Sequence, residues 1–375
     1  MTTAQQPLDD LVALLDVEAI EVNIFRGNSP DENRQRVFGG QVAGQALVAA
    51  ARTIDQAGRD VHSLHAYFIR PGDPTVPILY EVDRLRDGKS FSTRRVVAIQ
   101  HGKVIFNLQA SFHSHEQGLN YQPQMPHDVP EPESLPDFKT RMEPYKEQLG
   151  EWYDRPRPID TRYVDSDPIS REGNPRTGQR VWMRADGSLP ADQVLHSCIV
   201  TYASDMTLLD TALLPHGIGW TDGKVQMASI DHAMWFHRPF RADDWLLYDQ
   251  ASLSTSSARG LAGGAIFTRS GELVVAVVQE GLIRLVGKKE QSHDAHRARP
   301  ARGRLRRNGS RHLRGASLRH ARRARTVASE PPPQRRSGVR RQVTRSKRRV
   351  PARLLGRRGR RILARVQRGR PRMAL

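Results

Sequence analysis

The chain has 375 residues, with 59 Lys plus Arg against 40 Asp plus Glu, for a formal charge of +19. That excess is confined to residues 287–375, which hold 31 basic and 3 acidic residues and no Phe, Tyr or Trp; residues 1–286 keep 28 basic and 37 acidic ones. The distribution excludes a uniformly basic nucleic-acid-binding fold and a packed core in the last segment, and the single cysteine, Cys198, excludes an internal disulfide framework or a Cys-based metal cluster.

The opening MTTAQQPLDDLVALLDVEAIEV has acids where a signal peptide needs basic residues. No uncharged apolar run approaches the roughly 18 residues of a membrane span, so the expected compartment is the cytosol. Residues 1–286 suffice for two domains of about 100–150 residues each.

In chain order, Asp9–Leu15 reads as a short helix and Val17–Phe25 as a strand. Phe38–Ile54, FGGQVAGQALVAAARTI, is Ala-rich and opens after Gly39-Gly40, which predicts the first long helix. Four strands follow: His62–Arg70, Ile78–Arg84, Ser90–Gln100 and Val104–His113. Asp87-Gly88 and His101-Gly102 supply tight turns between them. Residues 115–157 contain five prolines between Pro123 and Pro136 and little apolar periodicity, the pattern of a connector or long surface loop. The order then repeats. Ile159–Val164 and Arg180–Arg184 read as strands and Ala191–Leu214 as a helix. Val225–Arg238, Trp245–Ser254, Leu261–Thr268 and Leu273–Leu285 read as strands.

A strand region, one long helix and a four-strand run, given twice, is the signature of a duplication. Short similarities agree with it. The stretch from Ser63 to Pro71 resembles that from Ile230 to Pro239 with one insertion, and Gln109 stands near the end of the first unit as Gln279 does in the second. The expected class is α+β, with each antiparallel sheet curled around one helix that is buried on most sides.

Leu195, Cys198, Ile199, Tyr202, Met206, Leu209 and Leu213 define an apolar helix face. Asp205 lies within that face, where a carboxylate is costly unless paired. Such acids gather at active sites, although a structural carboxylate bonded to backbone amides has the same pattern. Asp210 is off the face and reads as solvated. Gln279 follows the apolar run Leu273–Val278 of a strand buried on both faces and needs partners there. By strict alternation Ser229 shares a face with Asp231, Ala233 and Trp235, and His232 points the other way. His232 and His237 read as structural. Spacing alone does not link Asp205, Ser229 and Gln279.

Other chemistries lack their motifs. Gly88-Lys89-Ser90 resembles the end of a P-loop, but the earlier glycine position holds Asp83 and a strand follows. The chain has no G-x-S-x-G elbow, no H-E-x-x-H and no histidine pair at zinc spacing. Neither a cofactor nor a metal is expected. Gly40 and Gly44 suggest close helix–strand packing.

The segments VFGGQVAGQAL (37–47), LHAYFIRPGDP (64–74), RDGKSFSTRRV (86–96), YASDMTLL (202–209), ASIDHAMWFHRPF (228–240) and VQEGLIR (278–284) together resemble the acyl-CoA thioesterase II family over residues 10–286. The resemblance implies a double hotdog fold and hydrolysis of fatty acyl-CoA to free acid and CoA. It implies a first hotdog domain at 1–116, a Pro-rich linker at 117–157 and a second hotdog domain at 158–286. It also implies a homo-oligomer, and a catalytic trio of an Asp on the second helix, a Thr or Ser in the next strand and a Gln in the last. The matching positions are Asp205, Ser229 and Gln279; Ser229 departs from the Thr of familiar bacterial members but keeps the hydroxyl. The implied mechanism activates a water, with backbone N–H groups at a helix N-terminus as oxyanion donors. The first unit offers no equivalent trio, so one site per chain is expected.

Residues 287–375 fall outside the resemblance. Three readings stand: a disordered arm that binds nucleic acid or an anionic membrane weakly by charge, a solvated extension, or out-of-frame translation of GC-rich DNA. The absence of aromatics argues against base stacking. Two other functions compete with the thioesterase. A hotdog hydratase would need a His paired with a carboxylate at the helix, and no His shares the face of Asp205. A non-enzymatic acyl-binding protein with a nucleic-acid-binding tail is the other.

Overall fold

The computed structural model describes residues 5–30, 35–165, 169, 175–219 and 221–286. The segment 287–375, expected to be a disordered tail, lies outside the described residues.

The first run comprises α1 (Gln5–Leu15), β1 (Glu18–Glu21), β2 (Ile24–Gly27), α2 (Gly39–Ala51), β3 (Arg59–Phe68), β4 (Ile78–Asp87), β5 (Phe91–Gln100) and β6 (Lys103–Ser114). Short helices α3 (Phe138–Met142), α4 (Lys146–Leu149) and α5 (Glu151–Asp154) lie in the connector. The second run comprises β7 (Ile159–Tyr163), β8 (Gly178–Ala185), α6 (Gln193–Ser204), α7 (Leu208–Thr211), β9 (Val225–Ser229), β10 (Asp231–Phe236), β11 (Leu246–Ser256), β12 (Arg259–Thr268) and β13 (Leu273–Leu285).

All described strand pairs are antiparallel, in the order β1-β2-β4-β5-β6-β3-β10-β13-β12-β11-β8-β7, with β9 also on β13. Read outward from the centre, the two halves repeat one topology. The two expected sheets are joined edge to edge through β3 and β10. β3 and β10 pair from Asp231 opposite Tyr67 to Trp235 opposite Ser63. Each of these strands would otherwise leave a row of unpaired backbone groups at an edge.

Three predicted elements are interrupted. Val17–Phe25 is a hairpin that turns at Asn23, whose φ of 62° an Asn side chain tolerates. Ala191–Leu214 breaks at Asp205, and Val225–Arg238 breaks at Ile230.

α2 and α6 lie against each other inside the curved sheet. α2 buries every residue from Gly40 to Leu47, so its sequence can be Ala-rich and apolar all round. A Cβ on Gly40 would meet the Tyr202 carbonyl oxygen at 2.4 Å, and one on Gly44 would meet Leu15 at 2.8 Å and the Cys198 carbonyl oxygen at 3.4 Å. These glycines permit close helix–helix packing, rather than the helix–strand packing expected of them. α1 closes the assembly with Leu8, Leu11 and Leu15.

The connector is not a loose surface loop. Met125, Val129 and Leu135 pack on Trp182, Trp245, Leu247, Phe267 and Leu273. The Trp182 indole donates to the Pro130 carbonyl at 2.9 Å, and the Gln122 amide to the Gly271 carbonyl at 2.7 Å. The strands of the second half are apolar on both faces, and the connector keeps the outer one from water. Further along, Phe138, Met142, Tyr153 and Ile169 form a small core of their own.

Candidate active site

Asp205 stands at the C-cap of α6 (φ −83°, ψ −4°), where the helix stops. A buried amide–hydroxyl network holds the break. Gln250 Nε2 donates to Thr207 Oγ1 at 2.6 Å, Gln179 Nε2 donates to Gln250 Oε1 at 2.8 Å, and Thr211 Oγ1 donates to Gln250 Oε1 at 2.9 Å. Gln179 also reaches the Thr207 carbonyl at 3.3 Å, taking an oxygen that a continuing helix would use. The spacing argument found the carboxylate but not the break.

Ser229 ends β9 opposite Gly281, whereas Ala233 in β10 stands opposite Val278. One extra residue is thus inserted near Ile230, a β-bulge. Asp231 accepts the Glu280 N–H at 2.7 Å and so satisfies the ladder there. The bulge reverses strand parity. Ser229 faces inward with the buried His232 and Met234, so the expectation that it faces away from His232 is corrected. His232 hydrogen-bonds Ser204 Oγ at 2.9 Å, and burial lowers its pKa to about 4, so it stays neutral.

Gln279 in β13 is fully buried opposite Ala262. Its Nε2 donates to Asp205 Oδ1 at 2.5 Å and to Ser229 Oγ at 3.0 Å; Ser229 Oγ donates to Asp205 Oδ1 at 3.4 Å. The three predicted residues therefore form a closed hydrogen-bonded triangle. Gln279 Oε1 is buried and has no partner among the described residues.

A fourth contributor was not foreseen. The Gly40 backbone N–H lies near Asp205 and favours its ionised form. α2 begins after Phe38, which provides no side-chain cap, so its first amides look for acceptors elsewhere. The signal was present in FGGQ, a helix start without Ser, Thr, Asp or Asn. Phe38 packs edge-on against Tyr202, with ring centroids 5.0 Å apart, and fixes the approach of α2 to α6.

Burial pushes the Asp205 carboxyl up to about 6, against the opposing pull of Gln279, Gly40 and Ser229; the nearby Asp210 carboxylate adds to the rise. Asp210, read as merely solvated, lines the same cleft. That cleft, of about 510 Å³, also takes in Phe38, Gly39, Met206, Met227 and Ser229 from the core elements and Phe138, Trp152 and Arg157 from the connector.

Among the described residues, the first half holds no such set. Arg52 is the C-cap of α2, as Asp205 is of α6. Across the matching bulge of β3, Val61 and Ala110 occupy the topological positions of Ser229 and Gln279. Gln109, aligned with Gln279 from sequence, faces outward opposite His65. Among the described residues, no group of three or more His, Cys, Asp or Glu side chains could hold a metal ion, and no helix is long and apolar enough to cross a membrane.

The Acyl-CoA thioesterase family matches residues 159–282, and the Acyl-CoA thioesterase N-terminal domain matches residues 29–113. Human acyl-coenzyme A thioesterase 8 is 41% identical over 287 residues, covering 73% of this chain and 89% of its own. Acyl-CoA thioesterase 2 of Haemophilus influenzae is 40% identical over 285 residues, covering 74% and 98%. The crystal structure of the acyl-CoA thioesterase II TesB2 from Mycobacterium marinum is 46% identical, with a TM-score of 0.62 over 74% of this chain and 98% of that one. A protein of unknown function with a hot dog fold from Alicyclobacillus acidocaldarius superposes with a TM-score of 0.60 at 17% identity, over 73% of this chain and 98% of that one, a likeness of fold alone. With relatives 40% and 41% identical, of which 98% and 89% are covered, the chain belongs to the acyl-CoA thioesterase family.

Proposed function

We propose that the chain hydrolyses fatty acyl-CoA to free acid and CoA with a water held by Asp205, Ser229 and Gln279. The observation that carries the proposal is the closed triangle on Asp205 Oδ1 in the cleft. Asp205 is the general base. It takes a proton from the water as the water oxygen bonds to the thioester carbonyl carbon. The carbonyl becomes an oxyanion, the C–S bond then breaks, and the proton held by Asp205 passes to the departing thiolate. A carboxyl near pH 6 suits both roles, since it is mostly ionised at neutrality and still basic enough to accept the proton.

Gln279 Nε2 orients the base and the Ser229 hydroxyl. Ser229 Oγ completes the cradle as an orienting hydroxyl. No covalent enzyme intermediate forms. The N-terminus of α2 supplies the positive backbone end that faces the developing oxyanion. The oxyanion donors are backbone amides of this turn.

The proposal includes two hotdog units per chain, at 1–116 and 158–286, joined by the linker 117–157. The repeated strand order and the two separate family matches support it. It also includes a cytosolic homo-oligomer; exposed Tyr67 and Leu79 on the first half of the sheet offer apolar surface for self-association. The segment 287–375 enters only as a source of weak, nonspecific polyanion binding. Thiol release from a series of acyl-CoA esters tests the activity, and an absence of release would overturn it.

A further inference from the structure

The connector contributes three side chains to the catalytic cleft: Phe138, Trp152 and Arg157. They form a stack. The Arg157 guanidinium carbon lies 3.4 Å from the Phe138 ring centroid and 4.3 Å from that of Trp152, whose rings meet at 77° with centroids 5.1 Å apart. Arg157 Nη2 donates to the Trp152 carbonyl at 3.0 Å, which ties the guanidinium to the chain it stacks on.

This wall is anchored. Phe138 and Trp152 belong to the separate small core of Phe138, Met142, Tyr153 and Ile169. Arg141 Nη2 donates to the Tyr163 carbonyl at 2.8 Å, and Arg162 Nη1 to the Leu135 carbonyl at 2.9 Å, so the connector is held against β7. Met206, Leu209 and Met227 line the same cleft, together with the Asp205 carboxylate. A channel with thioether, aliphatic and aromatic side chains beside its polar ones therefore opens at the reacting centre.

Of the two ends of an acyl-CoA, this channel suits one. Among the described residues it carries two carboxylates, Asp205 and Asp210, and one cation, Arg157, whose guanidinium packs on the Phe138 and Trp152 rings. Phosphates would meet like charge there, whereas an alkyl chain would meet thioether, aliphatic and aromatic surface. We propose that the connector wall of Phe138 and Trp152, held in place by Arg157, joins Met206, Leu209 and Met227 to form the acyl-chain subsite and sets chain-length preference. Phe138 and Trp152 touch the chain; Arg157 is a positioning residue. The proposal rests on the placement of the reacting carbonyl at Asp205.

The test is kcat/KM for acyl-CoA esters from two to sixteen carbons with the full chain and with Phe138→Ala, Trp152→Ala, Trp152→Phe and Arg157→Lys. The expected result is that the long-to-short ratio falls about tenfold or more in both alanine variants, since each loses several methylene contacts. Trp152→Phe should retain most of the ratio. Arg157→Lys should lower it as well, because a lysine keeps the charge but not the plane that stacks. A profile unchanged in both alanine variants overturns the proposal. So does an equal rise in KM at every chain length with weaker inhibition by free CoA, which would assign the wall to the CoA end. The catalytic reading fails separately, by Asp205→Asn retaining turnover whatever the chain-length profile.

Discussion

A Cβ added to Gly39 would stand 2.6 Å from Oδ2 of Asp205 and 2.8 Å from the Phe68 ring. The first residue of one helix thus has to lack a side chain so that the last turn of the other can present its carboxylate to the amides of α2. Gly39→Ala should displace Asp205 by a fraction of an ångström to an ångström. A misplacement of that size costs about 10²-fold in rate. Steady-state kinetics and a thermal melt on the same preparation check this. Retained turnover would show that the contact between α2 and Asp205 does not matter to the chemistry.

The acidity of Asp205 predicts two pH dependences. If Asp205 is the base, kcat/KM falls about tenfold per pH unit below roughly pH 6 as the carboxyl takes up a proton. Stability runs the other way. The folded pKa of about 6 exceeds the ordinary 3.8, so the folded state holds the proton more tightly, and that contribution is fully present below pH 4 and lost as pH rises through 6. Asp205→Asn should therefore be more stable than the parent above pH 6, by roughly 1–3 kcal/mol, with the difference vanishing near pH 4. Chemical denaturation at pH 4 and pH 8 measures it; a gap that does not grow between them contradicts the buried-carboxylate account.

Ser229 donates to Asp205 and accepts from Gln279, and no imidazole bonds it within the triangle. An orienting hydroxyl tolerates an added methyl but not its own removal. Ser229→Thr should keep turnover within a few-fold, whereas Ser229→Ala should lose about 10–10²-fold, in line with the loss of one hydrogen-bonding group from a water-activating site. Mass spectrometry during turnover supplies the counter-test: an acyl adduct on Ser229 would make it a nucleophile.

Truncation after Val286 removes no described strand and no site residue, since β13 ends at Leu285 and the Val286 N–H closes on the Lys224 carbonyl. The truncated chain should match the full chain in melting temperature and turnover. The full chain, with 31 basic residues beyond position 286, should bind heparin at low salt and release it steeply as salt rises. A melting temperature lower by several degrees after truncation would mean that the segment packs on the enzyme.

Much of this fold is written in local periodicity. The order of helices and strands, the duplication and the carboxylate on an apolar helix face are all properties of short windows. What escaped depends on pairings distant in sequence. The bulge near Ile230 is visible only through the register of β9 and β10 on β13, and it placed Ser229 on the wrong side of a strictly alternating strand. The break at Asp205 depends on Gln179 and Gln250, each from a different strand. The Arg94 guanidinium, fully buried on Thr53 and Asp87, looks in sequence like any surface arginine of a strand. The packing of the connector is not legible in sequence because it supplies only half of an interface. Its apolar residues are too sparse to show a period, and Trp182 and Phe267 complete the packing.

The central claim is that Asp205 is the base which activates water. The direct measurement is kcat for a long-chain acyl-CoA with Asp205→Asn, on protein shown by circular dichroism to be folded. Asparagine keeps the shape and most of the hydrogen bonds but cannot accept a proton, so turnover should fall by about 10²–10⁴-fold. Turnover close to that of the parent protein in the folded variant would remove Asp205, and with it the water-activating triangle, from the mechanism.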